Sequence, residues 1–265
     1  MSRNGIKILP IQFNLQAQLK PNYYMRKVIT FFSSVIFFLL LSGCKKASNT
    51  QAFYLNDNLI GIREGRVVKF YQTKDQRTWA YCPNKDFVSP EPIDDAFYFG
   101  NSFIGVRQGK RVKFYQTNTQ GTWSYSVGRN FVSPTGVDGI FYFMPGLVGA
   151  WHSSTARFYQ TNKQGGWAYN AGLDFVSPDH IDGAFDVIGN FIGIRKGRTV
   201  KFYTMNGQGT WTYSAGRDFV SPVDADCIFY LNTGSIGVLK GRTIKFYQIN
   251  GQGTWAYKAG DDFNF

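Results

Sequence analysis

The chain repeats one unit of 44 residues five times, and this repeat restricts its fold more than any other feature of the sequence. Tryptophan recurs at this interval, at Trp79, Trp123, Trp167, Trp211 and Trp255. A Phe-Tyr pair and a glycine keep the same interval. A fixed period of this length indicates one supersecondary unit stacked on copies of itself. The aromatic residues, 18% of the chain, are therefore expected to have a structural role before any other.

Each copy contains four short apolar segments separated by turns rich in Gly and Asn. In the second copy these segments are 96–99, 103–107, 111–116 and 122–125. Segments of Val, Phe, Tyr and Trp with this spacing are typical of hairpins, and no apolar period of 3.6 residues follows the N-terminal segment. The strands are apolar on both faces, as a sheet packed between two neighbouring sheets requires. The sequence therefore predicts an all-β protein.

Four antiparallel strands in each copy match the size of a propeller blade. We predict a five-bladed β-propeller over 52–265, whose last copy supplies its own four strands. Phe263 holds the repeat position of Phe87, and each is expected to pack against the blade that follows its own. An open solenoid is the alternative, but its end copies would need polar caps, and here they are as aromatic as the others. The predicted blades are 52–95, 96–139, 140–183, 184–227 and 228–265.

A segment with the features of a targeting signal precedes the repeats. Residues 25–44 contain Arg26 and Lys27, a run of 14 mostly apolar residues, and then Leu41-Ser42-Gly43-Cys44. This run is shorter than the roughly 20 residues that span a bilayer. The segment resembles a bacterial lipoprotein signal, and 41–44 match its lipobox at every position. The resemblance implies a signal helix within a removed segment 1–43, in which 1–24 are an upstream extension and either Met1 or Met25 is the start.

The same resemblance predicts the anchor of the mature chain. Cys44 would carry the acyl chains, palmitate among them, and 44–51 would be a short tether. Lys45 stands where inner-membrane retention signals have Asp, so the resemblance implies the outer membrane of a bacterial envelope. We therefore expect a membrane partner through the acyl chains, and a monomer.

The charge of the chain favours anionic partners. Its net charge is +12, and after residue 43 there remain 24 basic and 17 acidic residues, a balance of +7. An anionic envelope polymer or lipid headgroup fits this charge, whereas nucleic acid is not expected in an envelope. The basic residues expected on the side of the blade-to-blade links, close to the membrane, are Arg63, Arg66, Lys85, Arg107, Lys110, Arg111, Arg129, Arg195, Lys196, Arg198, Arg217, Lys240 and Arg242.

The repeated tryptophans and the turns beside them are the candidate binding residues. The near-identical copies with one Trp each resemble five-bladed lectins of the tachylectin type, which implies lectin-like recognition of glycans at several equivalent sites between blades. Trp and Tyr rings suit the apolar faces of sugars, and amides suit hydroxyls. The alternative is that the Trp residues only pack between blades. The candidates are Trp79, Trp123, Trp167, Trp211, Trp255, Tyr125, Tyr169, Tyr213, Tyr257, Asn118, Gln120, Asn162, Gln164, Asn206, Gln208, Asn250 and Gln252.

The first copy departs from this pattern in its last turn. It has Lys74, Gln76 and Arg77 where other copies have amides and Gly, so its site is expected to be impaired. A second role is also open, in which the chain is an envelope scaffold for a protein partner. In that case Trp151 and His152 of the third copy, which replace a basic turn, are the expected contact.

We expect no enzyme, cofactor or metal site. The two Glu residues, Glu64 and Glu91, both lie in the first copy, and the two His residues show no spacing for a metal or a nucleophile. A recurring Asp precedes the first strand of four blades. These residues either cap backbone amides or surround a cation in the central channel, and they are Asp94, Asp138, Asp182 and Asp226.

Overall fold

The computed structural model describes residues 49–55, 58–73, 78–162, 164–231 and 234–265. The signal segment 1–43, Cys44 and the first part of the tether lie outside the described residues, as do Lys74, Gln76 and Arg77. In the part of the chain that is described, no helix is long and apolar enough to cross a membrane.

The fold is all-β and consists of five small antiparallel sheets arranged as a five-bladed β-propeller, as the repeat predicts. The first blade contains β1 (Thr50–Tyr54), β2 (Leu59–Glu64), β3 (Val67–Thr73), β4 (Trp79–Tyr81) and β5 (Phe87–Val88). The second contains β6 (Asp95–Gly100), β7 (Phe103–Gln108), β8 (Arg111–Thr117), β9 (Trp123–Tyr125) and β10 (Phe131–Val132). The third contains β11 (Gly139–Met144), β12 (Leu147–His152), β13 (Thr155–Thr161), β14 (Trp167–Tyr169) and β15 (Phe175–Val176).

The fourth and fifth blades repeat this order. The fourth contains β16 (Gly183–Val187), β17 (Phe191–Lys196), β18 (Thr199–Met205), β19 (Trp211–Tyr213) and β20 (Phe219–Val220). The fifth contains β21 (Cys227–Leu231), β22 (Ser235–Lys240), β23 (Thr243–Ile249), β24 (Trp255–Tyr257) and β25 (Phe263–Asn264).

The outer strand of each blade is interrupted, which the sequence did not predict. In the first blade β4 pairs with the end of β3 and β5 pairs with its beginning, so both lie on the same edge. The residues between them form an outer turn that leaves the sheet, and in three blades this turn contains a 3₁₀ helix, at Pro83–Lys85, Val127–Arg129 and Ala171–Leu173. The outer turn approaches the following blade and becomes part of the blade interface described below.

Hydrophobic side chains form a core at each interface between neighbouring blades. The strands alternate, so successive side chains face opposite neighbours: Ala96 packs against the first blade and Phe97 against the third. The fifth interface joins the last blade to the first, through Ala52, Ile60, Ile62 and Tyr71 packed on Phe229, Leu239, Ile244, Phe246 and Phe263. The ring is therefore closed.

Phe263 occupies the position expected for it. Its ring centroid lies 4.8 Å from that of Tyr71 and 6.0 Å from that of Trp79, both in the first blade. Phe87 packs in the same way on Tyr115 of the second blade, at 4.6 Å. The last residues of each copy thus fasten that blade to the next one round the ring.

Candidate functional site

The repeated tryptophans lie at the blade interfaces, half-buried, where each packs on the preceding blade. The ring of Trp123 stacks on Phe70 of the first blade, with centroids 5.5 Å apart and planes at 21°. Its edge also contacts Phe87, at 5.8 Å. The other interfaces repeat the stack at 5.6 to 5.8 Å, in the pairs Trp79–Phe246, Trp167–Phe114, Trp211–Phe158 and Trp255–Phe202.

Four of the indole N–H groups bind backbone of the preceding blade. Nε1 of Trp123 donates to the carbonyl oxygen of Lys85 at 2.7 Å. The acceptors in the next three interfaces are Arg129, Leu173 and Arg217, at 2.8 to 2.9 Å, for Trp167, Trp211 and Trp255. All four acceptors lie in the outer turns. One ring face and the indole N–H are therefore used by the fold, as in the packing alternative for these residues.

The tyrosines two residues later are the exposed aromatic groups of each interface. Their exposed fractions range from 42% at Tyr125 to 50% at Tyr169. Each hydroxyl pairs with a side chain five residues on: Tyr213 donates to Asp218 at 2.6 Å and Tyr257 to Asp262 at 2.7 Å, and Tyr125 pairs with Asn130. The hydrogen bond to Asp262 raises the pKa of Tyr257 to about 12. The rings are thus held in place by their hydroxyls while they remain roughly half exposed.

The amide residues form the turns beside these aromatic rings. Asn118 Oδ1 accepts hydrogen bonds from the backbone N–H of Gln120 and Thr122, at 3.0 and 2.9 Å. Asn206 and Asn250 close the same turn, and Asn162 Oδ1 accepts from Gly166 at 2.7 Å. These bonds use the asparagine oxygens. The exposed glutamines of the turns are Gln120, Gln164, Gln208 and Gln252.

The structure therefore brings the candidate residues together at each interface. A turn of exposed amides leads directly into the half-buried Trp, and the exposed Tyr follows two residues, about 7 Å, along the same edge. The surface open to a ligand consists of the Tyr ring and the turn amides, with the Trp as a fixed wall between them. The first site, which is expected to be impaired, includes residues 74–77, which lie outside the described residues.

The recurring Asp residues cap turns. The carboxylates of Asp94, Asp138, Asp182 and Asp226 accept the backbone N–H of the turn between the second and third strands, at 2.6 to 2.8 Å. This geometry fits the alternative in which the Asp residues cap backbone amides. The capped amides belong to the turn between the second and third strands and not to the segment that links one blade to the next. Among the described residues, no group of three or more His, Cys, Asp and Glu side chains could hold a metal ion.

The expected basic surface is only partly exposed. Arg63 and Arg107 are buried, at 4% and 7% exposure, so the expectation that they lie on the surface is wrong. Both side chains turn inward because Asp95, exposed by 6%, lies among them. Arg129 stacks on Phe103, which begins a second strand at the opposite, amide-rich end of the blade. The residues that are exposed in the basic turns are Arg66, Lys110, Arg111, Lys196, Arg198, Lys240 and Arg242.

A buried polar network at the start of the inner strands was missed by the sequence reasoning. Arg107 Nε lies 3.7 Å from Asp95 Oδ2, which also accepts the backbone N–H of Ile140 at 3.1 Å. Gln51 donates to the other carboxylate oxygen and accepts from Arg63 at 3.3 Å. The sequence did contain a signal for this network, because one position of the repeat carries a different residue in most copies. The residues at this position are Gln51, Asp95, Gly139, Gly183 and Cys227.

A second irregular position carries a perturbed carboxyl. Asp186 stands on an inner strand where other copies have Tyr54, Tyr98, Tyr142 and Tyr230. In the described part of the chain its Oδ1 has neither solvent contact nor a hydrogen-bond partner. Burial raises the pKa of Asp186 to about 8.

The remaining polar candidates are engaged within the fold. Glu64 pairs with Arg242 at 2.6 Å, and Glu91 with Lys113 at 2.9 Å. Trp151 is 9% exposed and covers Gly139, so it is not the surface contact expected of a scaffold. His152 is exposed and its Nδ1 lies 3.2 Å from Asp138 Oδ2. Cys82 and Cys227 are free thiols.

The chain matches no family model and no curated protein. Among solved structures it is similar to a functionally unknown protein from Desulfotomaculum acetoxidans, with 13% identity, 82% of this chain and 70% of that chain covered, and a TM-score of 0.47. A protein from Lactobacillus plantarum has 11% identity, coverage of 79% and 69%, and a TM-score of 0.43. Hsv2 from Kluyvelomyces marxianus has 12% identity, coverage of 79% and 82%, and a TM-score of 0.42. Similarity at this level says nothing of function.

Proposed function

We propose that this propeller is a non-catalytic binding protein, anchored to the bacterial envelope by lipid, that recognises glycans at several equivalent grooves between its blades. The observation that carries the proposal is the repetition of one exposed surface. A Tyr ring that is 42 to 50% exposed stands beside a turn of exposed amides in each of the last four copies. Aromatic faces with adjacent amides fit the C–H faces and hydroxyls of sugars.

Several weak sites on one rigid disc give avidity on a repetitive glycan, because each further binding event is intramolecular. The half-buried Trp residues support this arrangement by fixing the distance between one blade and the next. An anionic envelope polymer remains a suitable ligand for the chain after residue 43, whose 24 basic and 17 acidic residues give +7. The absence of catalysis is part of the proposal, supported by the ion pairs that occupy both Glu residues.

The test is glycan-array binding of the full chain in detergent micelles, followed by calorimetric titration of the best ligand. We expect several ligands per chain. The double variant Tyr213→Ala with Gln208→Ala should lower the stoichiometry by about one site. Val220→Ala, which truncates an exposed side chain outside the grooves, is the matched control. A stoichiometry of one protein partner and no glycan would favour the scaffold role instead.

The lipid anchor is tested separately. We propose acylation of Cys44, supported by the lipobox at 41–44. Cells fed a palmitate analogue should label the wild-type chain and Cys82→Ser, whereas Cys44→Ser should lose the label and leave the membrane fraction. The exposed basic turns would add attraction to anionic headgroups, about 1 kcal/mol for each charge near the surface. Equal labelling of Cys44→Ser would contradict the anchor.

A further inference from the structure

The interface between the fifth and first blades contains a pocket that the repeat alone does not predict. Its enclosed part has room for a group the size of one hydroxyl or water, and about 350 Å³ of empty space results only when the open solvent at its mouth is counted. Thr73 and Trp79 line it from the first blade, and Ser235, Lys258 and Asp261 from the fifth. Ser235 and Asp261 are buried, at 2% and 5% exposure, so the polar groups lie at the bottom of the pocket.

The pocket exists because a large side chain is missing. Ser235 begins the second strand of its blade, and the residues at this position in the other copies are Leu59, Phe103, Leu147 and Phe191. The register is the same, since Ser235 pairs with Gln248 as Phe103 pairs with Gln116. A hydroxymethyl group therefore occupies the place of an isobutyl or benzyl group.

The covering side chain is also replaced. In the second and fourth blades Arg129 and Arg217 lie over Phe103 and Phe191, at 4.7 and 5.3 Å from the ring centroids. The fifth blade has Asp261 at the position of these arginines. Its carboxylate pairs with Lys258 at 2.8 Å and does not close the pocket.

The indole of Trp79 completes the site. It stacks on Phe246, with centroids 5.7 Å apart and planes at 16°, as its equivalents stack on theirs. Its Nε1 differs from theirs, because it is buried and has no hydrogen-bond partner in the described part of the chain. The equivalent carbonyl, that of Asp261, does not accept it. A buried donor without an acceptor is unfavourable, so an acceptor supplied by a ligand is favoured.

We propose that this seam pocket is a single site, distinct from the equivalent grooves, for the hydroxyl groups of a neutral terminal sugar. A sugar hydroxyl can accept from the indole N–H and donate to the carboxylate of Asp261, whereas an anionic group would face that carboxylate. The proposal rests on the proposed recognition of glycans. It adds that one interface binds differently from the other four, because among the described residues it alone combines Ser235, Asp261 and an indole N–H without a hydrogen-bond partner.

The first test follows the indole N–H signals of the full chain, labelled with ¹⁵N-tryptophan in detergent micelles. The titrants are D-glucose, D-galactose, D-mannose and N-acetyl-D-glucosamine, and Trp79→Phe assigns the signal of Trp79. We expect at least one sugar to shift the Trp79 signal saturably and further than the signals of the four bonded indoles. Equal shifts in all five would overturn the seam site and leave the equivalent grooves standing. No shift with any of the sugars would overturn it as well, and the glycan array then decides the proposed function independently.

The second test fills the pocket. Ser235→Phe introduces the side chain that two other copies carry at this position, and it should lower the affinity for the sugar at least about tenfold. Leu147→Phe is the control: it places Phe at the same repeat position but at another interface, and it should leave the affinity unchanged. Thermal unfolding of both variants establishes that they fold. A folded Ser235→Phe chain that keeps the wild-type affinity would refute the proposal.

Discussion

The indole Nε1 of Trp211 lies 2.8 Å from the carbonyl oxygen of Leu173, which belongs to the outer turn of the preceding blade. The same ring stacks on Phe158, also in the preceding blade, at 5.6 Å. One side chain thus joins two sheets both by an apolar contact and by a directed bond. The interrupted outer strand makes this possible, because it moves a backbone carbonyl out of the sheet towards the next blade.

Removing only the indole bond should therefore destabilise the chain at Trp211 and not at Trp79. Trp211→Phe keeps an aromatic ring but leaves the carbonyl of Leu173 without its donor, at a cost of about 1 kcal/mol. Trp79→Phe removes a donor that has no partner among the described residues, so its free energy of unfolding should change less. Urea unfolding of the two variants measures the difference. Equal losses would contradict the assigned role of the bond.

The glycine in the middle of each second strand makes room for an aromatic ring. A Cβ added at Gly105 would overlap the ring of Phe97, and the equivalent glycines meet the equivalent rings. Gly105→Ala should therefore cost about 1 to 3 kcal/mol through overpacking. Gly128→Ala is the matched control, since nothing lies within 4 Å of its Cβ position. Thermal unfolding should show a lower melting temperature for the first variant only, and similar values for both would be evidence against this packing.

The regular positions of the repeat explain why the fold was predictable. Trp, Phe-Tyr and Gly recur at a constant interval and lie on the same strands in every blade, so one copy interpreted as four strands applies to all five. The outer turn escaped prediction because its residues carry no common pattern. Pro83, Val127 and Ala171 begin similar turns with different side chains, since the turn is held by backbone bonds.

The candidate site was predictable only in part, and for a related reason. The positions of Tyr125 and Asn118 follow from the repeat. The acceptor of the Trp123 indole N–H does not, because it is a backbone carbonyl in an outer turn. The seam pocket depends on Ser235 and Asp261, two departures from the repeat in the fifth blade, one in a strand and one in an outer turn. Closure of the ring brings Trp79 of the first blade to the same pocket, and only the three-dimensional fold shows this.

The buried network around Asp95 should be important for stability. Asp95→Asn would remove the buried carboxylate beside the Arg107 guanidinium, which is exposed by 7% and keeps Asp94 at 3.6 Å as a carboxylate partner. The loss of this buried contact should cost about 1 to 3 kcal/mol. Asp179→Asn breaks exposed pairs with Lys196 and Lys201 and should cost clearly less, because solvent screens exposed pairs. Urea unfolding measures the free energy of unfolding of both variants. Comparable losses would contradict the larger contribution of the buried network to stability.

Asp186 should make the stability of the chain depend on pH. Its pKa in the folded chain is raised by burial to about 8, whereas an unfolded Asp has a pKa of about 3.9. The folded state therefore holds a proton that the unfolded state releases between these values. The free energy of unfolding should fall as the pH rises from about 4 to about 8, by on the order of a few kcal/mol, and level off above that range.

Replacing this carboxyl should remove the pH dependence that it causes. Asp186→Asn cannot ionise, and Asp186→Tyr restores the residue that the other copies carry at this position. Both variants should gain melting temperature relative to the wild-type chain at about pH 8.5 and gain little or nothing at about pH 5, because Asp186 is already neutral there. Subtracting variant from wild-type profiles cancels the contributions of the groups that both chains share. Parallel profiles over this range would mean that Asp186 keeps an ordinary pKa in the folded chain.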